Sequence, residues 1–116
     1  MAEKLFFKKE QRLLSRIDFD RVFQEDHFAA DDVLVIRARR CDSCSRLGLA
    51  VSKKVGNAVV RNRWKRRIRE AFRLQQHELP IGLEIVVRPR KGAICDTQAI
   101  AASLLKLMKR LDRKVR

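Results

Sequence analysis

No stretch of this sequence approaches the roughly 20 consecutive apolar residues of a membrane span, and its opening, Met1 to Lys9, lacks the apolar run of an export signal. A cytoplasmic protein with no membrane partner is expected. Cysteine is scarce and odd in number: Cys41, Cys44 and Cys95 cannot all pair, and without an export signal a disulfide framework is not expected. Cys41-x-x-Cys44 has the spacing of half a zinc knuckle, which Cys95, His27 or His77 would have to complete; with no second half, loop thiols in a reducing compartment are the reading. The two histidines flank helix ends, where surface hydrogen bonds suit them.

Acids are equally thin. Fourteen Asp and Glu face 28 Lys and Arg. The pairs Glu25-Asp26 and Asp31-Asp32 are adjacent, and neighbours on an extended chain point apart. No converging carboxylates of the kind that hold metal for phosphodiester hydrolysis are therefore expected. Nor does the chain show a catalytic His pair, a glycine-rich phosphate loop, an internal repeat or a linker. The sequence assigns no catalytic and no metal-binding residue to the protein.

What it has in excess is positive charge. A net charge of +14 and a pI near 10.9 point to a polyanion partner. A hydrophobic content of 46% in 116 residues points to a folded body carrying that charge, read as one domain over residues 1–116.

Ser15 with Asp18 resembles a capping box, and Ile17, Phe19, Val22 and Phe23 recur at helical spacing, predicting a helix over 15–24. Val33 to Arg39 is β-branched and extended in character, and Leu47, Leu49 and Val51 alternate with Gly48, Ala50 and Ser52. These read as two strands joined by the polar turn from Cys41 to Arg46. The small-residue face of the second strand lets another layer or a ligand backbone approach closely. Asn57 caps a predicted helix with the stripe Val60, Trp64, Ile68, Ala71 and Phe72, running to about Glu78. Pro80 and Gly82 end it, Leu83 to Arg88 is a strand closed by Pro89, and Asp96-Thr97 opens a last helix. That helix is apolar at Ile100, Leu104, Leu107, Met108 and Leu111. The order of helix, strands, helix, strand and helix is an α/β sandwich.

One segment concentrates the charge. Lys53, Lys54, Arg61, Arg63, Lys65, Arg66, Arg67, Arg69 and Arg73 face a single acid, Glu70, so 21 residues hold more than half of the net charge. At 100° per residue, Asn62, Lys65, Arg66, Arg69 and Arg73 fall opposite the Trp64 stripe, with Arg63 and Arg67 flanking it. A solvated helix laced with i, i+4 pairs is the plain alternative, but one acid cannot neutralise nine bases. Arginine suits phosphate because its planar fork donates two parallel hydrogen bonds, and Asn62 suits phosphate, sugar or a base edge.

The stretch from Ser52 to Phe72, with Arg61-Asn62-Arg63 at its centre, resembles the signature of the bacterial ribonuclease P protein family. The likeness extends through Arg12 to Phe23 and Arg46 to Val51 and reaches the closing helix. Trp64 departs from it, an aliphatic being common there. The resemblance implies a ferredoxin-like αβββαβα fold with a left-handed βαβ crossover, an exception to the usual handedness. It also implies a division of labour. The RNA subunit would lie against Lys53, Lys54, Asn57 and the helical set Arg61, Asn62, Arg63, Lys65, Arg66, Arg67, Arg69 and Arg73. The 5′ leader of precursor tRNA would meet Arg12, Phe19, Phe23 and Ser52. Catalytic Mg2+ would sit mainly on the RNA, and the protein, monomeric and one per RNA, would be inactive alone.

Exposed aromatics can stack on unpaired bases while cations track phosphates; Phe19 and Phe23, one helical turn apart, fit core packing as well. A ribosomal-type structural RNA-binding protein shares the size, charge and fold, and only the long motif separates it from this reading. A helix-turn-helix DNA binder fits less well, because a strand follows the basic helix and no partner helix lies three or four residues upstream.

Overall fold

The computed structural model describes residues 11–115 apart from 14, 26 and 43; the basic opening segment and Asp26 of the Glu25-Asp26 pair lie outside the described residues. The element order is α1 (Arg16–Gln24), β1 (His27–Ala30), β2 (Leu34–Arg40), β3 (Arg46–Leu49), α2 (Ala58–Leu74), β4 (Leu83–Pro89) and α3 (Thr97–Val115). This is the αβββαβα order.

The strands form one sheet in the order β1-β2-β4-β3. β4 is antiparallel to β2 and parallel to β3, so β3, α2 and β4 make a βαβ unit. β2 and β3, read as strands joined by a turn, are consecutive in the chain but are not neighbours. Alternation identifies a strand without identifying its partner. The place between β2 and β3 falls to β4, whose near-continuous apolar run is buried on both faces. β1 escaped the sequence reading because four residues, His-Phe-Ala-Ala, are too few to establish a period. Its hairpin to β2 is closed by Asp31, whose carboxylate accepts the N–H groups of Val33 (2.9 Å) and Leu34 (3.0 Å).

Ser15 caps α1 as its sequence suggests, accepting the Asp18 N–H at 3.1 Å, and Asp96 accepts the Ala99 N–H at 2.8 Å to start α3. α2 stops at Leu74, four residues before the predicted end. Beyond that end the carbonyl of Gln75 accepts the N–H groups of both Glu78 and Leu79, a tightened last turn, and Leu79 lies in the core. The Gln75 side chain donates to Ala71 O and to Ala101 O, tying the end of α2 to α3.

One face of the sheet packs against α2 and α3 in an α/β sandwich. Leu34, Ile36, Ala38, Leu47, Leu83, Ile85 and Val87 meet Trp64, Ile68 and Phe72 from α2 and the five predicted apolar residues of α3, every one of which is buried. α1 crosses the opposite face, where Val22 packs on Val86 with Leu13, flanked by Phe19 and Ala50.

Candidate nucleic-acid interface

α2 forms because Asn57 accepts the Val60 N–H at 3.0 Å and because Trp64, Ile68, Ala71 and Phe72 give it one buried face. Burying that stripe turns the basic side chains outward. Asn62, Arg63, Arg66 and Arg69 are exposed, and Arg61, Lys65, Arg67 and Arg73 are half-buried. Arg61, Arg63, Lys65, Arg66 and Arg69 make no side-chain hydrogen bond or ion pair among the described residues. Two members of the predicted ridge are engaged instead. Arg67 donates to Cys95 O, anchoring α2 to the segment before α3, and Arg73 pairs with Glu70, which holds the Glu70 carboxyl below the usual carboxylate range. Lys53 and Lys54 lie on a 3-10 turn, Lys53–Val55, leading into Asn57; Ser52 heads it, exposed, with its hydroxyl capping nothing.

On the face under α1, side chains fall into rows across the strands. Arg39, Glu84 and Arg46 share one row, and Arg37, Val86 and Gly48 the next. In the first row Glu84, nearly fully buried, accepts Arg39 at 2.8 Å and Arg46 at 3.0 Å. Each arginine also reaches α1: Arg46 contacts Asp18 at 3.3 Å, and Arg39 lies 3.8 Å from Glu25. Both ends of α1 are thus tied to one buried carboxylate on the central strand.

In the second row Gly48 leaves room for the Phe19 ring, and Arg37 lies beneath Phe23. The Arg37 guanidinium stands 5.5 Å from the centre of the Phe23 ring and 5.6 Å from that of Phe28, a cation held between two aromatic faces. Phe23 is 44% exposed and Phe28 50%. Core packing therefore does not describe Phe23. Phe19 is half-buried against the sheet and also lines a hollow.

That hollow, of about 220 Å³, lies among Arg12, Phe19, Leu49, Lys65 and Arg69. It shares Arg12, Lys65 and Arg69 with a basic hollow of about 450 Å³ along the α2 ridge. It shares Leu49 and Lys65 with a third, of about 440 Å³, that runs past Ala50 to Ser52 and Arg88. Arg12, Phe19 and Ser52 thus lie along one basic groove between the β3 edge and α2, and Phe23 stands apart with Arg37 and Phe28. Arg12 is held in place where its carbonyl accepts Arg46 at 3.1 Å and the next residue, Leu13, bonds to Leu47 O at 2.9 Å.

Sequence reasoning missed Phe28, Arg37 and Arg88. Phe28 lies on the unread strand. Alternation along β2 and β4 places Arg37 and Arg88 on the face away from Ile36 and Val87, and that signal could have singled them out.

Among the described residues no three His, Cys, Asp or Glu side chains come together as a metal-binding group. The Cys41 thiol contacts Cys44 O at 3.7 Å, while Cys95 stands beside Arg67. His27 begins β1, half-buried, and His77 is exposed in the turn after α2. No helix of the described chain is long and apolar enough to cross a membrane. What the surface can do is bind: unpaired guanidinium and ammonium groups for phosphates, exposed rings for bases.

A family model described as ribonuclease P matches residues 7–112. The chain is 43% identical over 116 residues to a ribonuclease P protein component of Escherichia coli, with 97% of each chain covered, and 41% identical over 112 residues to that of Photobacterium profundum, with 95% of each covered. Among solved structures, the ribonuclease P protein of Thermotoga maritima superposes with a TM-score of 0.77 at 37% identity, covering 85% of this chain and 96% of that one.

Proposed function

Because the chain belongs to the bacterial ribonuclease P protein family, and so serves as the protein subunit of the ribonucleoprotein that removes the 5′ leader of precursor tRNA, we propose that its α2 ridge binds the catalytic RNA and its groove the leader. Catalysis belongs to the RNA subunit, which also brings the magnesium of the holoenzyme. Among the described residues the protein has no acidic cluster to hold such an ion. One protein per RNA, a monomer in a single domain, suits a surface in which each face has its own task.

The observation that carries this reading is the set of five cations on α2, Arg61, Arg63, Lys65, Arg66 and Arg69, that have no partner among the described residues, beside a groove that contains an aromatic ring. Arg61, Asn62, Arg63, Lys65, Arg66 and Arg69, with Lys53, Lys54 and Asn57 at the helix entry, meet phosphates of the RNA subunit. Arg67 and Arg73 shape that surface from within it. Arg12, Phe19 and Ser52 line the path of the leader, and Phe23, with Arg37 and Phe28, offers a second stacking surface. A single strand suits such a groove because its bases are free to stack while its phosphates follow the cations.

Phe19→Ala in the reconstituted holoenzyme tests the groove. Affinity for a precursor with a leader should fall by about 1–3 kcal/mol, the range for one stacked base, and affinity for mature tRNA should hold. Circular dichroism first establishes that the variant is folded. Equal losses on both RNAs would make Phe19 an assembly residue and leave the groove without its main support.

A further inference from the structure

α3 carries a second basic surface, set across the sheet from the groove. The first half of the helix is tied to the end of α2, where Gln75 donates to Ala101 O at 3.0 Å. The second half reaches the hairpin of β1 and β2: Ser103 and Lys106 bond to Asp31 at 2.8 and 3.0 Å, and Lys114 Nζ donates to Phe28 O at 3.0 Å. In the order β1-β2-β4-β3 that edge is the one farthest from β3.

Residues 106–114 hold five bases and one acid. Ile100, Leu104, Leu107, Met108 and Leu111 bury one side of the helix, and at 100° per residue Lys106, Lys109, Arg110 and Arg113 fall together on the other. All four are exposed. Lys106 is engaged by Asp31, but Lys109, Arg110 and Arg113 make no side-chain hydrogen bond or ion pair among the described residues. Asp112, the acid of this stretch, is half-buried and lines a recess with Arg40 and Gly82 instead.

Helix stability does not account for this ridge. A cation gains from the negative end of a helix within its last turn, which covers Arg113 and Lys114 and falls off before Lys109 and Arg110. Lys106 with Arg110, and Lys109 with Arg113, stand one turn apart, and like charges so placed destabilise a helix. Phosphates relieve that repulsion. α3 contains no aromatic residue on which an unpaired base could stack, so the ridge suits the backbone of a duplex, which is met through its phosphates. The apolar side of the helix lies in the core, leaving none to enter a bilayer.

We propose that the α3 ridge is a second site for the RNA subunit, taking the phosphate backbone of one of its duplexes away from the segment that α2 meets. The choice of this RNA rests on the α2 reading above. α2 and α3 form one layer over the same face of the sheet, whereas the sheet stands between α3 and α1. An RNA that covers α2 therefore lies on α3's side of the molecule, and a leader in the groove does not. Two separate ridges fix the orientation of the protein on its RNA, which one ridge leaves free to pivot.

The test is the triple variant Lys109→Gln/Arg110→Gln/Arg113→Gln, which keeps good helix formers at exposed positions and leaves Lys106 on Asp31. Its affinity for the RNA subunit would be titrated over a range of salt, and the RNA backbone footprinted with hydroxyl radicals at saturating protein. Arg66→Gln/Arg69→Gln on α2 would be treated in the same way, and binding to phosphatidylserine vesicles measured in parallel. The triple variant should bind the RNA subunit roughly tenfold more weakly, with a shallower salt dependence. It should lose protection of one duplex segment while keeping the segment that the α2 variant loses, and its melting temperature should hold. Unchanged affinity and footprint would overturn the proposal. So would a lower melting temperature, which would make the three cations structural, or a loss seen only on vesicles, which would put a membrane there instead. If the α2 variant keeps the parent's affinity and footprint while the triple variant does not, the α2 reading fails and the α3 site stands.

Discussion

The Phe19 ring occupies the place a β-carbon would take at Gly48: a methyl group there would stand 2.8 Å from Phe19 Cζ and 3.1 Å from Leu13 Cβ. Glycine is needed at this point for space, so that the aromatic wall of the groove can sit directly on the sheet.

Gly48→Ala should therefore push Phe19 off the sheet, costing about 1–3 kcal/mol of stability as overpacking does. Leader-dependent affinity should fall with it. Combined with Phe19→Ala, the substitution should cost much less than it does alone, because the clashing ring is gone. Denaturant unfolding of the four members of the cycle measures that coupling, and strict additivity would contradict the packing account.

Glu84→Ala should strand the Arg39 and Arg46 guanidiniums and release both ends of α1. A loss of about 2–3 kcal/mol is expected, below the usual range for a broken buried pair because each guanidinium still reaches water. Binding of precursor should weaken more than binding of mature tRNA, since α1 carries Phe19 and Phe23. Urea unfolding and paired tRNA titrations provide the two readouts.

Changing Arg61 and Arg63 to Ala should lower affinity for the RNA subunit and reduce the slope of log K against log salt by about one for each phosphate that is no longer neutralised. Arg66 and Arg69, exposed on the same ridge, should behave alike. Arg67→Ala should instead lower the melting temperature, because that side chain holds Cys95 O rather than facing solvent. A salt slope that stays the same after the ridge arginines are replaced would remove α2 as the surface that meets the RNA.

Asp31 sets an acid limit on stability. Burial would raise its pKa, but the Leu34 and Val33 N–H groups, the Ser103 hydroxyl and Lys106 outweigh burial and hold it down at about 2, from an ordinary 3.8. A depressed folded pKa contributes stability that is fully present above pH 4 and is lost as pH falls through 2. Asp31→Asn should thus cost about 2 kcal/mol near neutrality, and the gap from the parent should close between pH 4 and 2. A gap independent of pH would mean that the carboxylate charge contributes nothing.

The sequence by itself determined the local structure and the kind of partner. Ser15, Asn57 and Asp96 mark helix starts because their side chains satisfy N–H groups a few residues away, an effect confined to one turn. The stripes of α2 and α3 set which faces are buried, since helical period depends on chain geometry alone, and the excess of Lys and Arg over acid needs no fold to imply a polyanion. Tertiary structure decided which strands meet, because β4 enters between β2 and β3 only when its run of apolar residues is covered on both faces. It decided where α2 stops, through Gln75 reaching α3, and which ridge arginines are free, through Glu70 and Cys95 O taking Arg73 and Arg67. It also decided the fate of the aromatic pair. Phe19 and Phe23 are equivalent in helical period, yet one meets Gly48 and the groove and the other meets Arg37. What lies opposite a side chain depends on residues distant in sequence, and only the closed sheet brings those residues there.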